Sequence, residues 1–265
     1  MTKSFRHDDV VRVLRQDDVA TVMLNRPEKL NAITLGMWRQ LGTVMRTLDR
    51  DEALRCIVIR GSGTRAFSPG ADIGEFKRTR SSTKKAIAYG KVMHPTLAAI
   101  RECRHPTVAM IHGLCVGGGL EIATMCDLRI AGSSARLGLP INRIAVIAAY
   151  PELAVLVDLV GRATALEILL EARVYDAAEA KEKGLVTRVV PDEQVEEETY
   201  ATARRIADGA PLSNQWHKKA ALRLLNPKAI TRAEYLAGFA TCDSEDYREG
   251  YRAFLEKRPP KFKGR

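Results

Sequence analysis

The sequence predicts an α/β fold whose last third is helical. Short runs rich in β-branched residues recur through the first two-thirds of the chain. Amphipathic stretches at helical spacing lie between them. Beyond Pro151 the periodicity is helical, apart from one short strand, Val186–Val190, set off by Gly184 and Pro191. Strands alternating with helices indicate an α/β core, followed by a helical region.

The elements run in this order. Val10–Leu14 and Val19–Leu24 read as a β-hairpin around the polar Gln16-Asp17-Asp18. Asn25-Arg26-Pro27 breaks the sheet. Thr34 is placed to cap a helix reaching about Arg50, with Leu35, Trp38, Leu41 and Met45 as its apolar face. Arg55–Arg60 is a short buried strand before the glycine-rich Gly61–Gly63. A basic, then amphipathic helix is expected over residues 77–104. Thr107–Ile111 and Leu128–Ala131 are strands, and Gly117–Met125 is a helix opened by glycines.

Of the 265 residues, 46% are hydrophobic and 28% charged, enough to bury a full core in one domain with a small appendage. The cleanest apolar run, Ile144–Tyr150, falls far short of the roughly 20 residues a bilayer crossing needs. Met1–Val10 mixes basic residues with Asp8 and Asp9 and lacks the apolar stretch of a secretory signal, so the expected location is cytoplasmic. The five cysteines include no C-x-x-C pair and the five histidines no H-E-x-x-H, so neither a disulfide framework nor a metal site is expected. A net charge of +10 favours anionic partners. No zinc finger, RNP signature or long basic helix supports nucleic acid, which leaves a phosphate-bearing small molecule or simple surface solvation.

Two loops carry the chemistry. In Ala66–Phe76, A-F-S-P-G-A-D-I-G-E-F, Pro69-Gly70 fixes a turn after a strand and Asp72 can cap the next helix. Such a turn either joins strand to helix or presents backbone N–H groups to a ligand. In His112–Asp127 the glycines 117–119 allow close backbone approach and start a helix whose N-terminus suits developing negative charge. Glu121 in its first turn is either a solvated acid stabilised by the helix dipole or a general acid–base.

Together, A-F-S-P-G-A-D-I and G-G-G-L-E resemble the two signature loops of the enoyl-CoA hydratase/isomerase (crotonase) family. Arg26-Pro27 with Leu30-Asn31-Ala32 resembles that family's early R-P-x-x-x-N-A segment. Glu245-Asp246 through Glu249-Gly250, Phe254 and Glu256-Lys257-Arg258 resembles its C-terminal helical segment. The resemblance implies a crotonase-like spiral of ββα units over residues 1–200. It also implies a C-terminal helical region, 201–265, packing on the core or on a neighbouring subunit, in a homotrimer or a dimer of trimers. It implies an acyl-CoA substrate, with coenzyme A as part of that substrate and no separate cofactor. Carried over residue by residue, the N–H groups of Ala71 and Gly118 form an oxyanion hole and Glu121 is catalytic. Leu30, Ala32, Pro69, Asp72 and Ile73 line the CoA channel, Lys257 approaches the nucleotide end, and the 74–100 region bounds the acyl pocket. The basic C-terminus, Lys257 to Arg265, is either part of that nucleotide contact or a disordered tail.

The chain departs from the family pattern at one critical place. The second glutamate of the hydratases falls in a segment resembling F-G-x-P-E. Here that segment is Leu137-Gly138-Leu139-Pro140-Ile141, and Ile141 cannot carry a proton. The adjoining P-G-x-G-G stretch is replaced by Ala148-Ala149-Tyr150-Pro151-Glu152. Tyr150 or Glu152 can supply the missing function, although the plainer reading has Tyr150 packing and Glu152 opening a helix. The expected activity is hydration of a 2-enoyl-CoA to a 3-hydroxyacyl-CoA. The alternatives are a sibling enolate reaction (isomerisation, decarboxylation or thioester hydrolysis) and a non-catalytic acyl-CoA- or RNA-binding protein that kept the fold.

Overall fold

The opening hairpin forms with its apolar positions in register. In the computed structural model, which describes residues 10–265, β1 (Val11–Gln16) pairs antiparallel with β2 (Val19–Leu24), Val11 opposite Leu24. Asp17 takes a left-handed backbone in the turn. The expectation for Met1–Val10 falls, but for Val10, outside the described residues.

The chain then lays down strands in pairs. β3 (Cys56–Gly61), β5 (Thr107–Ile111) and β7 (Leu128–Gly132) extend a six-stranded sheet of order β1-β2-β3-β5-β7-β10, with β10 at Arg188–Val190. Beyond the β1–β2 hairpin its neighbours are all parallel. Each of those three strands is followed by a three-residue strand in a second sheet. These are β4 (Ala66–Ser68), β6 (Leu114–Val116) and β8 (Arg136–Gly138), closed by β9 (Val174–Asp176) in the order β4-β6-β8-β9. Every turn of the spiral thus gives one strand to each sheet before a helix returns the chain. The small sheet is absent from the sequence expectation because three residues show no period.

Ten helices complete the described chain. They are α1 (Leu35–Asp49), α2 (Phe76–Thr79), α3 (Thr83–Arg101), α4 (Gly118–Met125), α5 (Tyr150–Glu171), α6 (Ala177–Glu182), α7 (Val195–Ala207), α8 (Pro211–Leu224), α9 (Arg232–Ala237) and α10 (Glu245–Leu255). Thr34 caps α1 as expected, its hydroxyl accepting from Met37 N at 3.1 Å. Trp38, Leu41 and Met45 are fully buried on its inner face. None of the described helices is long and apolar enough to cross a membrane.

The single helix expected over 77–104 is instead two. Ser82 accepts from Lys85 N at 3.3 Å and starts α3 anew, so the chain turns at Arg80–Ser82. A serine competes with the helical backbone for its own N–H groups and favours a cap over a helix interior. The C-terminus is not a disordered tail. Asp246, almost fully buried at the start of α10, accepts from Lys263 N at 2.6 Å and Gly264 N at 2.7 Å. Its own backbone N donates to Arg265 O at 3.1 Å.

One buried side chain ties the loops between β2 and β4 together. Asn31, left-handed at φ 66°, donates from Nδ2 to Ser62 O at 3.1 Å and to Ala66 O at 2.9 Å. Its Oδ1 accepts from Arg26 N at 3.1 Å, and its carbonyl accepts from Ser68 Oγ at 2.9 Å. Asn31→Ala leaves these buried groups unpaired in a backbone region alanine avoids. It is expected to lower unfolding free energy by about 3 kcal/mol, read by urea denaturation with an unchanged slope.

Candidate active site

The two loops singled out in the sequence meet backbone to backbone. Gly70, at φ 94°, lies so close to the second loop that a Cβ there would stand 2.8 Å from Gly118 N and 3.0 Å from Val116 O. A Cβ on Gly119 would stand 2.3 Å from Ser68 O. Only glycine fits either place. The first loop is held by Ser68 Oγ, which accepts from Gly70 N at 3.1 Å, and by Ile33, whose N donates to Gly70 O at 2.8 Å and whose O accepts from Asp72 N at 2.9 Å.

This packing leaves Ala71 N–H and Gly118 N–H without acceptors among the described residues. Gly118 is the first residue of α4, where the helix leaves its N–H groups unpaired. Both residues border one cavity of about 290 Å³, together with Pro69, Ile73, Glu121, Ile141 and Glu152. A free donor on the first loop beside a free donor at the N-terminus of α4 suits an oxygen that gains negative charge.

Glu121 projects into this cavity from the first turn of α4. Burial above all, then the nearby Glu152 carboxylate, pushes its pKa up to about 7, while the Arg80 guanidinium pulls the other way. Glu152 belongs to the first turn of α5 and is 6% exposed. Its Oε1 lies 3.3 Å from His94 Nε2 of α3, and its Oε2 has no hydrogen-bond partner. Tyr150 is 89% exposed and is not on the cavity wall. Of the two candidate replacements, Glu152 shares the cavity with Glu121. It lies in the first turn of α5, near where the plainer reading puts it, and faces the cavity as well; the helix itself starts two residues earlier at Tyr150, which that reading expects to pack and which is instead exposed. Ile141 sits on the wall as an apolar residue in the turn Pro140–Ile144.

The other expected residues divide. Pro69 and Ile73 are on the wall, and Asp72 stands beside it, paired with Arg26 Nη1 at 3.0 Å and accepting from Gly74 N at 3.1 Å. Leu30 and Ala32 are not on the wall of this cavity, and Ala32 O accepts from Arg26 Nη1 at 2.7 Å. Lys257 comes after α10 as an exposed residue and takes no part in this wall. Sequence reasoning missed Arg80, Tyr89 and His94. They lie on a helical stretch whose periodicity marks an apolar face and says nothing of which polar residue turns inward.

Known proteins share this fold. The sequence model of the enoyl-CoA hydratase/isomerase family matches residues 15–265. The chain belongs to that family. It is 34% identical to a Mycobacterium bovis protein named a probable enoyl-CoA hydratase, over 96% of this chain and 98% of that one. It is also 34% identical to the (E)-benzylidenesuccinyl-CoA hydratase of Thauera aromatica, over 93% and 96%. The crystal structure of an enoyl-CoA hydratase/carnithine racemase from Magnetospirillum magneticum superposes with a TM-score of 0.96 at 47% identity, covering 97% of this chain and 96% of that one. The protein is therefore an α/β enzyme of the crotonase fold.

The raised pKa of Glu121 makes the stability of the fold depend on pH. The native state holds this proton up to about pH 7, whereas the unfolded chain releases it near the ordinary value of 4.5. Stability from this site is thus highest below the unfolded value and falls as pH rises to about 7. Glu121→Gln removes that cost. It is expected to be more stable than wild type above pH 7, by on the order of 2 kcal/mol, with the difference vanishing near pH 4 in parallel thermal melts.

Proposed function

We propose that the protein hydrates a 2-enoyl-CoA to a 3-hydroxyacyl-CoA, with Glu121 and Glu152 as its acid–base pair. One observation carries this reading: two carboxylates on separate helices and two free backbone N–H groups border a single cavity. The thioester oxygen accepts from Ala71 N–H and Gly118 N–H. Addition of water at the β carbon drives charge onto that oxygen, and the donors stabilise the resulting enolate more than the neutral thioester. Glu121 keeps a proton up to about pH 7 and delivers it to the α carbon. Glu152 takes a proton from the attacking water, whose oxygen bonds to the β carbon. One proton enters the pair and one leaves, so the pair returns to its starting charge after protons re-equilibrate.

The coenzyme A moiety is part of the substrate and no separate cofactor enters the scheme. Pro69, Asp72 and Ile73, with Leu30 and Ala32, guide the pantetheine arm, and Lys257 serves the nucleotide end. We place the enzyme in the cytoplasm as a homotrimer or a dimer of trimers. Support for association comes from the C-terminal helices, which expose Tyr235, Phe239, Phe254 and Leu255, the last two at 84% and 74%. Light scattering is expected to give a multiple of the trimer mass, and Phe254→Asp to shift it toward monomer.

The decisive measurement is loss of enoyl-thioester absorbance with a short 2-enoyl-CoA. Glu121→Gln and Glu152→Gln are each expected to lower kcat by about 10²–10⁴-fold, and the wild-type rate to fall as pH rises above about 7, where Glu121 loses its proton. A full rate in Glu152→Gln removes that residue from the chemistry. Double-bond migration without water uptake replaces hydration with isomerisation.

A further inference from the structure

The cavity wall carries a cation that hydration itself does not use. Arg80 lies where α2 ends and before Ser82 restarts the chain as α3, and its side chain borders the same cavity as Glu121. Its guanidinium is 3.9 Å from the Tyr89 ring centroid and 5.1 Å from that of Phe76. These rings hold it by cation–π attraction, and Trp38 Nε1 in turn fixes Tyr89 by donating to its hydroxyl at 2.7 Å.

Arg80 has few polar partners: its guanidinium bonds the Tyr89 hydroxyl and acts on Glu121 only from beyond ion-pair distance. It forms no ion pair among the described residues, although most of the arginines around it do. Its Nη2 reaches the Met93 sulfur at 3.8 Å, a weak acceptor, and its Nε is buried with no partner. Arg143, also on the wall, has no ion pair either among the described residues. The remaining surfaces nearby, Trp38, Phe76, Met93, Val146 and Ile147, are apolar.

This combination is poorly suited to a plain alkyl chain. A neutral acyl group filling the cavity strips water from the guanidinium and returns no acceptor. A carboxylate supplies two acceptors in the planar arrangement that an arginine fork matches. The guanidinium, which pulls the Glu121 pKa down, also offsets the negative charge that the Glu121–Glu152 pair holds and that would otherwise be hostile to an anion.

We propose that Arg80 selects acyl-CoA substrates whose acyl chain carries a carboxylate of its own, making this a site for dicarboxylic enoyl thioesters. The inference rests on the acyl-CoA reading above and narrows it. It holds for any of the enolate reactions open to this site.

The test separates binding from chemistry. Saturated ω-carboxyacyl-CoA thioesters of increasing chain length are titrated calorimetrically into the protein, each against the neutral acyl-CoA of equal length. At the length that reaches Arg80, the carboxylate ligand is expected to bind about 10- to 100-fold more tightly. Arg80→Met is expected to erase or reverse that preference while leaving neutral ligands bound. Arg80→Lys is expected to keep part of it. Equal affinity of neutral and carboxylate chains at every length in wild type overturns the proposal, whatever becomes of the variants. So does an equal loss for both ligand classes in Arg80→Met, which would make Arg80 a support for the pocket wall. Hydration of the matched 2-enoyl thioesters is then measured separately. Selective binding without hydration sinks the hydratase reading and leaves this one standing; hydration that favours neutral chains does the reverse.

Discussion

Contact between two stretches of bare backbone sets the geometry of everything else in this molecule. The turn at Pro69-Gly70-Ala71 and the start of α4 approach so closely that Gly70 and Gly119 have no room for a Cβ. A pair of donors aimed at one point needs both loops fixed relative to each other, since a hydrogen bond weakens steeply with angle. The fold provides this by ending β4 and β6, parallel neighbours in the small sheet, directly before the two loops. Asn31 and Ser68 then hold the first loop from behind, and the helical ladder of α4 holds the second. The two N–H groups are thus held in place by the fold itself, and the proposed role in charge stabilisation asks for no rearrangement of either loop.

Legibility in the sequence depends on how local each feature is. The hairpin, the cap at Thr34 and the strands of the large sheet are readable because a β-branched run between turn residues or a capping residue marks them on the spot. The two glycine loops are readable as a pair, since each alone fits an ordinary strand-to-helix turn. Strands such as Ala66–Ser68 and Arg136–Gly138 are not, being too short for any period. Nor is the break between α2 and α3, where Ser82 overrides a run of residues otherwise suited to one helix. Glu152 stands among the possibilities, but only the fold brings the N-terminus of α5 beside that of α4.

Charge distribution also needs the structure before it can be read. The net charge of +10 suggests phosphate binding, yet much of the C-terminal basic cluster is already paired. Arg258 bonds to Glu249 at 2.6 Å and to Glu256 at 2.6 Å, and Lys263 and Arg265 both reach Glu245. Exposed pairs of this kind add little stability, and their role is to hold the returning tail against α10. The informative cations are the few left unpaired in a water-poor place, where an absent partner costs most.

The cavity carries its second carboxylate on α5, at Glu152, and an apolar residue at Ile141, and this bears on how it can respond to change. An acid on the turn Pro140–Ile144 would be positioned by that turn alone. An acid on α5 is positioned by the packing of a whole helix, and here also by His94 of α3 at 3.3 Å. The same α3 presents Tyr89 and Met93 to the acyl cavity and, through Tyr89, steadies Arg80. One helix therefore both borders the cavity and contacts Glu152. A shift of α3 that enlarged the pocket would move His94 away from Glu152 by a comparable amount, because helices move as rigid bodies within a close-packed interior. The shape of the cavity and the setting of Glu152 are mechanically linked in this chain, and neither can be altered along α3 without disturbing the other.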